Sequence, residues 1–203
     1  MFWEDEGYLL YKSNYSENSI IVEIFTLSHG KCSGIVYGGS SKSKKTIYQI
    51  GNKISVNWRS KGENRLGYFN IELLKPISPA FFDDKRKTIC ILAAASILKL
   101  LLPERQINKK IYKSFDNLLY HFNTDEWIKL YILWELSLIK ELGYEFDNLD
   151  EKISSIINKN SKISNDHVKK ALSFNKGLLM ENLIIPNKLR FPLSRNILEK
   201  YFA

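Results

Sequence analysis

The stretch Ser19-Ile-Ile-Val-Glu-Ile-Phe-Thr-Leu27, followed by the turn residues His29-Gly30 and then by Gly34-Ile-Val-Tyr37, decides the fold of the first part of the chain. β-Branched and aromatic residues dominate both runs, and such residues suit the pleated surface of a sheet. Because short runs of this kind bounded by turn residues are typical of strands, the stretch predicts two neighbouring strands.

Further strands are predicted on both sides of this stretch. Tyr8-Leu-Leu-Tyr11 precedes it, and alternate apolar residues share one face over residues 54–58 and again over residues 69–73. These alternating positions are Ile54, Val56, Trp58, Phe69, Ile71 and Leu73. Five or six short strands within about 70 residues predict a small closed barrel or sandwich, and a barrel of the OB type has this size and strand count.

Lys75-Pro-Ile-Ser-Pro79 marks the boundary of the strand-rich part, because two prolines in four residues exclude both a helix and a central strand. Apolar residues recur at helical spacing after it. The fold class predicted is α+β with two domains: an N-terminal OB-fold barrel over residues 1–78 and an all-α domain over residues 79–203. A polar, asparagine-rich segment predicts an irregular insert around residues 145–165.

The helices of the second part are predicted from periodicity and from capping residues. Asn123-Thr124 offers an N-cap to a helix that should end at Gly143. The predicted segments are Asp83 to Leu102, Ile111 to Phe122, Asn123 to Gly143, Asp166 to Asn182 and Pro192 to Tyr201.

Positive charge is concentrated in the barrel. The chain has a formal net charge of +8, and between Ser28 and Lys61 it carries seven basic residues and no acidic one. The seven are Lys31, Lys42, Lys44, Lys45, Lys53, Arg59 and Lys61. Such a surface favours a polyanionic partner, because Lys and Arg contacts to phosphates release condensed counterions. The alternative is a charge excess that only solubilises the protein.

The segment Gly38-Gly-Ser-Ser-Lys-Ser-Lys-Lys45 is the sharpest local feature. Glycine and serine leave backbone N–H groups accessible, and the lysines supply point charges for phosphates. It lacks the order of a Walker A loop, and a solvated hairpin tip is the alternative interpretation. Aromatic residues of the barrel offer stacking surfaces for unpaired bases, although each is equally compatible with the core. They are Tyr37, Tyr48, Trp58 and Tyr68, of which Trp58 is predicted to be core because it alternates with Ile54 and Val56.

Other functional classes find little support. Cys32 and Cys90 are too few for a four-cysteine zinc site, and they are predicted to be reduced, buried thiols of a cytoplasmic protein. The acidic run Glu4-Asp5-Glu6 has no partner carboxylates at a useful spacing, and no nucleophile motif accompanies His29. We therefore expect that the protein is not an enzyme and that it has no catalytic residue, metal or cofactor. The longest apolar run, 89–102, is too short to span a bilayer.

Many weak motifs, taken in order, resemble the RecO family of bacterial recombination mediators. Trp3-Glu-Asp-Glu-Gly7 resembles the opening strand of the family, and Ile24-Phe-Thr-Leu-Ser-His-Gly-Lys31 resembles its strand-turn hallmark. The likeness continues through the barrel and the helical part, and it covers nearly the whole chain. The further segments are Gln49–Asn52, Val56–Arg59, Leu66–Glu72, Leu101–Arg105, Ile111-Tyr112, Trp134–Leu138, Glu141–Tyr144 and Phe191–Arg195.

The resemblance implies an OB barrel that binds single- and double-stranded DNA and a helical domain that supports protein contacts. It also implies strand annealing, association with RecR, binding to the C-terminal tail of single-stranded DNA-binding protein (SSB), and help in loading RecA. The resemblance further implies a cytoplasmic, nucleoid-associated protein that needs neither ATP nor a metal and does not bind a membrane. Two departures from the family are apparent: lysines 42, 44 and 45 replace an arginine-rich stretch, and the zinc cysteines of some members are absent.

The candidate DNA-binding residues are Lys31, Lys42, Lys44, Lys45, Arg59 and Lys61. Lysine point charges hold the phosphate backbone and read little sequence. Two other functions compete with this hypothesis: a generic OB-fold RNA-binding protein, and a basic scaffold that docks acidic protein tails. A metal-dependent nuclease is a more distant third.

Overall fold

The computed structural model describes residues 1–41, 44–62, 66–144 and 163–202. Five strands form a closed barrel in the order β1-β2-β3-β5-β4. Their bounds are β1 Phe2–Ser16, β2 Ser19–Thr26, β3 Gly30–Tyr37, β4 Lys53–Arg59 and β5 Gly67–Lys75. Neighbouring strands are antiparallel except β3 and β5, which pair in parallel. The predicted OB-type barrel is confirmed.

Strand β1 closes the barrel because it is long enough to serve two neighbours. Residues 2–8 pair with β4, whereas residues 7–16 pair with β2. The register with β2 shifts between Leu9 and Tyr11. An extra residue of this kind bends a strand and increases its twist, so one strand can turn from one side of the barrel to the other.

The barrel core is built from the inward-facing side chains of the alternating runs. Its buried members include Leu9, Val22, Ile24, Ile54, Val56, Trp58, Phe69 and Ile71. The prediction that Trp58 belongs to the core is confirmed, since only 3% of it is exposed. Gly67 makes room for this ring: a Cβ there would lie 2.3 Å from two ring atoms of Trp58. Any side chain at residue 67 would push β5 away from β4 or displace the indole.

Helix α1, Lys85–Leu101, follows the proline segment and a short 3-10 turn, Ser78–Phe81. Asp84 caps it by accepting hydrogen bonds from the backbone N–H groups of Arg86 and Lys87. The helix predicted over Asp83 to Leu102 is confirmed with bounds one or two residues inside the prediction.

Four more α-helices follow in the described part of the chain: α2 Lys109–Tyr120, α3 Trp127–Glu141, α4 Asn165–Leu179 and α5 Leu193–Lys200. A π-helix, Met180–Ile184, follows directly on α4. Gly143 has φ +96°, as expected of a residue that ends a helix. The N-cap prediction for α3 was wrong, because Thr124 instead donates its hydroxyl to the His121 carbonyl and the helix starts at residue 127. The predicted irregular insert around residues 145–165 lies almost wholly outside the described residues.

The chain forms two compact units, Met1–Lys109 and Lys110–Ala203. The first holds the barrel together with α1, so the proposed domain boundary near residue 78 remains a prediction. Cys32 and Cys90 are both buried and are not joined in a disulfide, as predicted. None of the helices in the described ranges is long and apolar enough to cross a membrane.

Candidate nucleic-acid interface

The loop between β3 and β4 carries the lysine-rich segment, and a buried asparagine anchors its base. Asn52 donates its side-chain N–H groups to the carbonyls of Thr46, 2.9 Å away, and Ile47, 3.1 Å away. The side-chain oxygen of Asn52 accepts from the backbone N–H groups of Ile77 and Ser78. Because these bonds fix the loop backbone just after Lys45, the lysines project from an anchored turn. We call Lys44 and Lys45, both exposed, the loop lysines.

Two contacts connect the loop lysines to the strands. The ammonium of Lys44 lies 3.9 Å from the position that a Cβ on Gly38 would take, beside the end of β3. Lys12 on β1 lies near Lys45: partial burial, and then repulsion from Lys45, lowers the pKa of Lys12. The basic surface therefore extends from the loop onto two strands.

A row of aromatic and arginine side chains crosses four strands next to this loop. Phe2 of β1 pairs in register with Arg59 of β4, and Arg59 pairs with Tyr68 of β5. Tyr37 of β3 follows, with its ring centroid 6.2 Å from that of Tyr68. We call these four residues the aromatic strip.

The aromatic strip is open to solvent. Tyr37 is 65% exposed, Phe2 54% and Tyr68 39%. The guanidinium of Arg59 lies 5.1 Å from the centroid of the Phe2 ring, a cation–π distance that leaves N–H groups for a phosphate. Large apolar faces are normally buried, so aromatic rings shared between adjacent strands at a surface indicate a binding site.

A cavity of about 330 Å³ adjoins the strip, lined by Glu4, Asn57, Arg59, Tyr68 and Asn70. Its amide and carboxylate groups suit hydrogen bonds to base edges. Lys61, exposed just after β4, adds a second cation at this end of the barrel.

The predicted DNA-binding residues thus occupy different environments. Lys44, Lys45, Arg59 and Lys61 are exposed. Lys31 is only 8% exposed, and its ammonium donates to the carbonyl of Lys99 at 2.7 Å. Burial lowers the pKa of Lys31, and its ammonium lies against α1 rather than on the charged surface of the barrel. Lys42 lies outside the described residues.

Sequence reasoning missed several members of this surface. Phe2 and Lys12 carry no signal of their own, because only the register between strands brings them to the strip and the loop. Of the four aromatic candidates, Tyr37 and Tyr68 are exposed whereas Tyr48 and Trp58 are buried. The alternation of Phe69 with Ile71 already places Tyr68 on the opposite face of its strand, whereas residues 35–37 give no such signal for Tyr37.

A second basic surface lies between α4 and α5. A groove of about 470 Å³ is lined by Lys169, Lys176, Leu193, Asn196, Glu199 and Lys200. Leu193, which is 72% exposed, contributes an aliphatic side chain to the lining. Lys176 is paired with Glu199 at 3.4 Å, which leaves Lys169 and Lys200 as the cations without a described ion pair. Across the described ranges, no group of three or more His, Cys, Asp or Glu side chains is arranged to hold a metal ion.

The protein belongs to the class in which an OB-type barrel precedes a helical part. Its barrel carries exposed aromatic and cationic side chains. Residues 1–77 match the family described as "Recombination protein O N terminal", and residues 83–153 match "Recombination protein O C terminal". The chain belongs to the RecO family of DNA repair proteins.

The chain is 31% identical over 223 residues to the DNA repair protein RecO of Ehrlichia chaffeensis, covering 100% of this chain and 89% of that protein. It is 32% identical over 145 residues to the RecO protein of Roseobacter denitrificans, covering 71% of this chain and 60% of the relative. The RecO protein of Wolbachia pipientis from Culex pipiens is 32% identical over 149 residues, covering 72% of this chain and 61% of the relative. The matches to these last two span about three fifths of the relatives' length.

Proposed function

We propose that this chain is a non-enzymatic mediator of DNA repair and recombination that binds single- and double-stranded DNA on its barrel. The observation that carries the proposal is the aromatic strip, with the loop lysines and Lys61 beside it. Exposed rings on neighbouring strands offer stacking surfaces to successive unpaired bases, and stacking tolerates any sequence. Lysines beside the rings hold phosphates of either a single strand or a duplex.

Annealing of complementary strands follows from the same surface. Two single strands repel each other through their phosphates, and a protein that neutralises both lowers this barrier. The loop lysines and the Arg59–Lys61 end give the barrel cations on both sides of the aromatic strip. One strand held on the rings can therefore meet a second strand held by the lysines.

The protein partners are proposed from the family and from the groove between α4 and α5. Exposed Leu193, with Lys169 and Lys200 in the same lining, suits a short acidic peptide that ends in an apolar residue. We propose that this groove docks the C-terminal tail of SSB, and that the protein works with RecR in loading RecA on SSB-coated DNA. Lys169→Gln together with Lys200→Gln should weaken binding of a labelled tail peptide, whereas Lys109→Gln with Lys113→Gln should not.

The experiment that tests the mediator function is annealing of complementary oligonucleotides coated with the cognate SSB. Acceleration by the wild-type protein is expected, together with its loss when Lys42, Lys44 and Lys45 become alanine. Lys109, Lys110 and Lys113, exposed in the first turns of α2, provide a control variant that also loses three charges. Equal loss in both variants would mean that net charge alone matters and would refute a specific role of the loop.

Three other outcomes would support a different function. Tighter binding to RNA than to DNA of equal sequence, through 2′-hydroxyl contacts, would indicate a generic RNA-binding protein. Binding of an acidic peptide without any binding of nucleic acid would indicate a scaffold. Metal-dependent loss of intact DNA would indicate a nuclease.

A further inference from the structure

A second cavity, of about 220 Å³, opens at the end of the barrel next to the aromatic strip. Trp3, His29, Cys32, Trp58, Arg105 and Ile107 contribute to its lining. We call it the tryptophan pocket. Trp3 and Trp58 pair in the register next to Phe2 and Arg59, and successive residues of a strand point to opposite faces, so the pocket rings lie on the other face of the sheet from the strip.

Three stacked rings form one wall of the tryptophan pocket. The ring of Trp3 lies 4.1 Å from that of His29 and 5.4 Å from that of Trp58, with interplanar angles of 8° and 15°. Asp5 holds the imidazole in this plane, since its carboxylate lies 2.9 Å from Nδ1 of His29. The same carboxylate accepts from the backbone N–H groups of Glu6 and Ser28. With these partners and only 6% exposure, Asp5 is occupied within the wall and does not face a ligand.

Arg105 supplies the cation, and the backbone holds it there in an unusual conformation. Its φ is +59°, in the left-handed region that costs a non-glycine residue about 1–3 kcal/mol. Its backbone N–H donates to the Lys31 carbonyl at 2.8 Å, and its guanidinium lies 5.6 Å from the ring of Trp58. Gly30 makes this approach possible: a Cβ there would lie 2.2 Å from the Gln106 carbonyl oxygen. Such local strain is frequently retained at ligand-binding positions.

The remaining lining is apolar or neutral. Burial raises the pKa of the Cys32 thiol to about 12, so the group is neither charged nor nucleophilic. Ile107 contributes an aliphatic wall that is 55% exposed. Glu104 is the nearby carboxylate at the rim, and it accepts a hydrogen bond from the Ser33 hydroxyl.

We propose that the tryptophan pocket takes one unstacked nucleobase of a bound single strand, with the adjoining phosphate paired to Arg105. Drug-sized ligands need roughly 300–1,000 Å³, so the volume here suits one planar ring system. Parallel aromatic rings and a neighbouring guanidinium are the chemistry that holds an unpaired base and its phosphate. Bases in a duplex are already paired and stacked, so the pocket would favour single strands.

This inference rests on the proposed DNA binding and can be tested separately from it. The probe is a single-stranded oligonucleotide in which 5-iodouracil replaces thymine, because light cross-links this base to aromatic side chains in contact with it. Peptide mapping of the full-length protein then distinguishes cross-links at Trp3, His29 or Trp58 from those at Tyr37 or Tyr68. The variants are Arg105→Gln and, as a control, Arg86→Gln at an exposed position in the first turn of α1.

Cross-links in the tryptophan pocket that fall at least threefold in Arg105→Gln, but not in Arg86→Gln, would support the proposal. Cross-links confined to Tyr37 and Tyr68, with normal DNA affinity, would overturn it and leave the proposed function standing. Absence of both DNA binding and cross-links would overturn the two together. Retained pocket cross-linking in Arg105→Gln would remove the phosphate contact from the proposal. A competition experiment uses an acidic peptide with a terminal aromatic residue. If this peptide prevents cross-linking in the pocket while DNA stays bound to the strip, the pocket belongs to a protein partner.

Discussion

The two compact units of this chain use cations in opposite ways. In the barrel, Lys44, Lys45, Arg59 and Lys61 are exposed, where they add positive charge to the protein surface. In the helical unit, Arg195 of α5 is 0% exposed and is held by Glu135 of α3, also 0% exposed. A surface cation costs the fold little and is available to a polyanion, whereas a buried one must be matched inside the protein.

Acceptors inside the helical unit satisfy nearly all of the Arg195 guanidinium. Its Nε and one terminal nitrogen donate to the two carboxylate oxygens of Glu135, and that nitrogen also donates to the Leu172 carbonyl. Tyr131 and Asn175 donate to the same carboxylate. Burial lowers the pKa of Arg195, but the carboxylate of Glu135 more than offsets this and raises it overall. The pair thus orients three helices while contributing no charge to the surface.

Breaking this buried pair should have the largest effect. Arg195→Met leaves the Glu135 carboxylate buried without its counter-ion, and such a loss typically costs about 3–5 kcal/mol. Urea unfolding of the full chain measures it. The double variant Arg195→Met with Glu135→Leu should recover most of the loss, because neither charge remains. No recovery would mean that the shape of the network, rather than its charge, stabilises the helices.

Lys31 sharpens the comparison, because this cation of the barrel is buried against α1. Lys31→Met removes the charged hydrogen bond to the Lys99 carbonyl, so we expect a loss of about 1–3 kcal/mol in unfolding free energy. Affinity for DNA at a temperature where both proteins are folded should stay unchanged. Lys61→Met should show the reverse, with stability within about 0.5 kcal/mol and weaker DNA binding. Weaker binding by a fully stable Lys31→Met would show that Lys31 reaches the DNA.

Removing the rings of the aromatic strip tests whether the barrel surface does more than attract phosphates. Tyr37→Ala and Tyr68→Ala should each weaken single-strand binding by about 1–3 kcal/mol per stacked base, with a smaller change for duplex DNA. Fluorescence anisotropy with both substrates measures this difference. Tyr120→Ala, an exposed tyrosine of α2, is the control. Equal weakening of both substrates would argue against base stacking.

The smallest expected effect distinguishes free from paired surface lysines. Each phosphate contact adds about −0.7 to the log–log salt slope on single strands, so replacing Lys44 and Lys45 by glutamine should reduce its magnitude by about 1.4. Lys53→Gln should change the slope less, because Lys53 is already paired with Glu6 at 3.1 Å. Identical changes would mean that the ion pair opens when DNA binds.

Local sequence predicted the barrel, because β-branched alternation and turn residues report directly on strands and their ends. The prolines of Lys75–Pro79 and the glycine at residue 143 likewise report on local backbone. The candidate site was less accessible, since Phe2, Arg59 and Tyr68 become neighbours only through strand register. The same limit explains why the burial of Lys31 was not predicted. A lysine in a charge-rich segment gives no signal that a carbonyl 68 residues away accepts a hydrogen bond from its ammonium.

The anchoring of the β3–β4 loop has a consequence for dividing this chain into fragments. Asn52 joins the loop to residues 77 and 78, and a Cβ on neighbouring Gly51 would meet Ile91 of α1 at 2.4 Å. A fragment that ends at residue 78 keeps the hydrogen bonds of Asn52 but strips α1 from that end of the barrel. Apolar surface exposed there would invite aggregation. An isolated barrel should therefore be cut near residue 109, with its first helix attached.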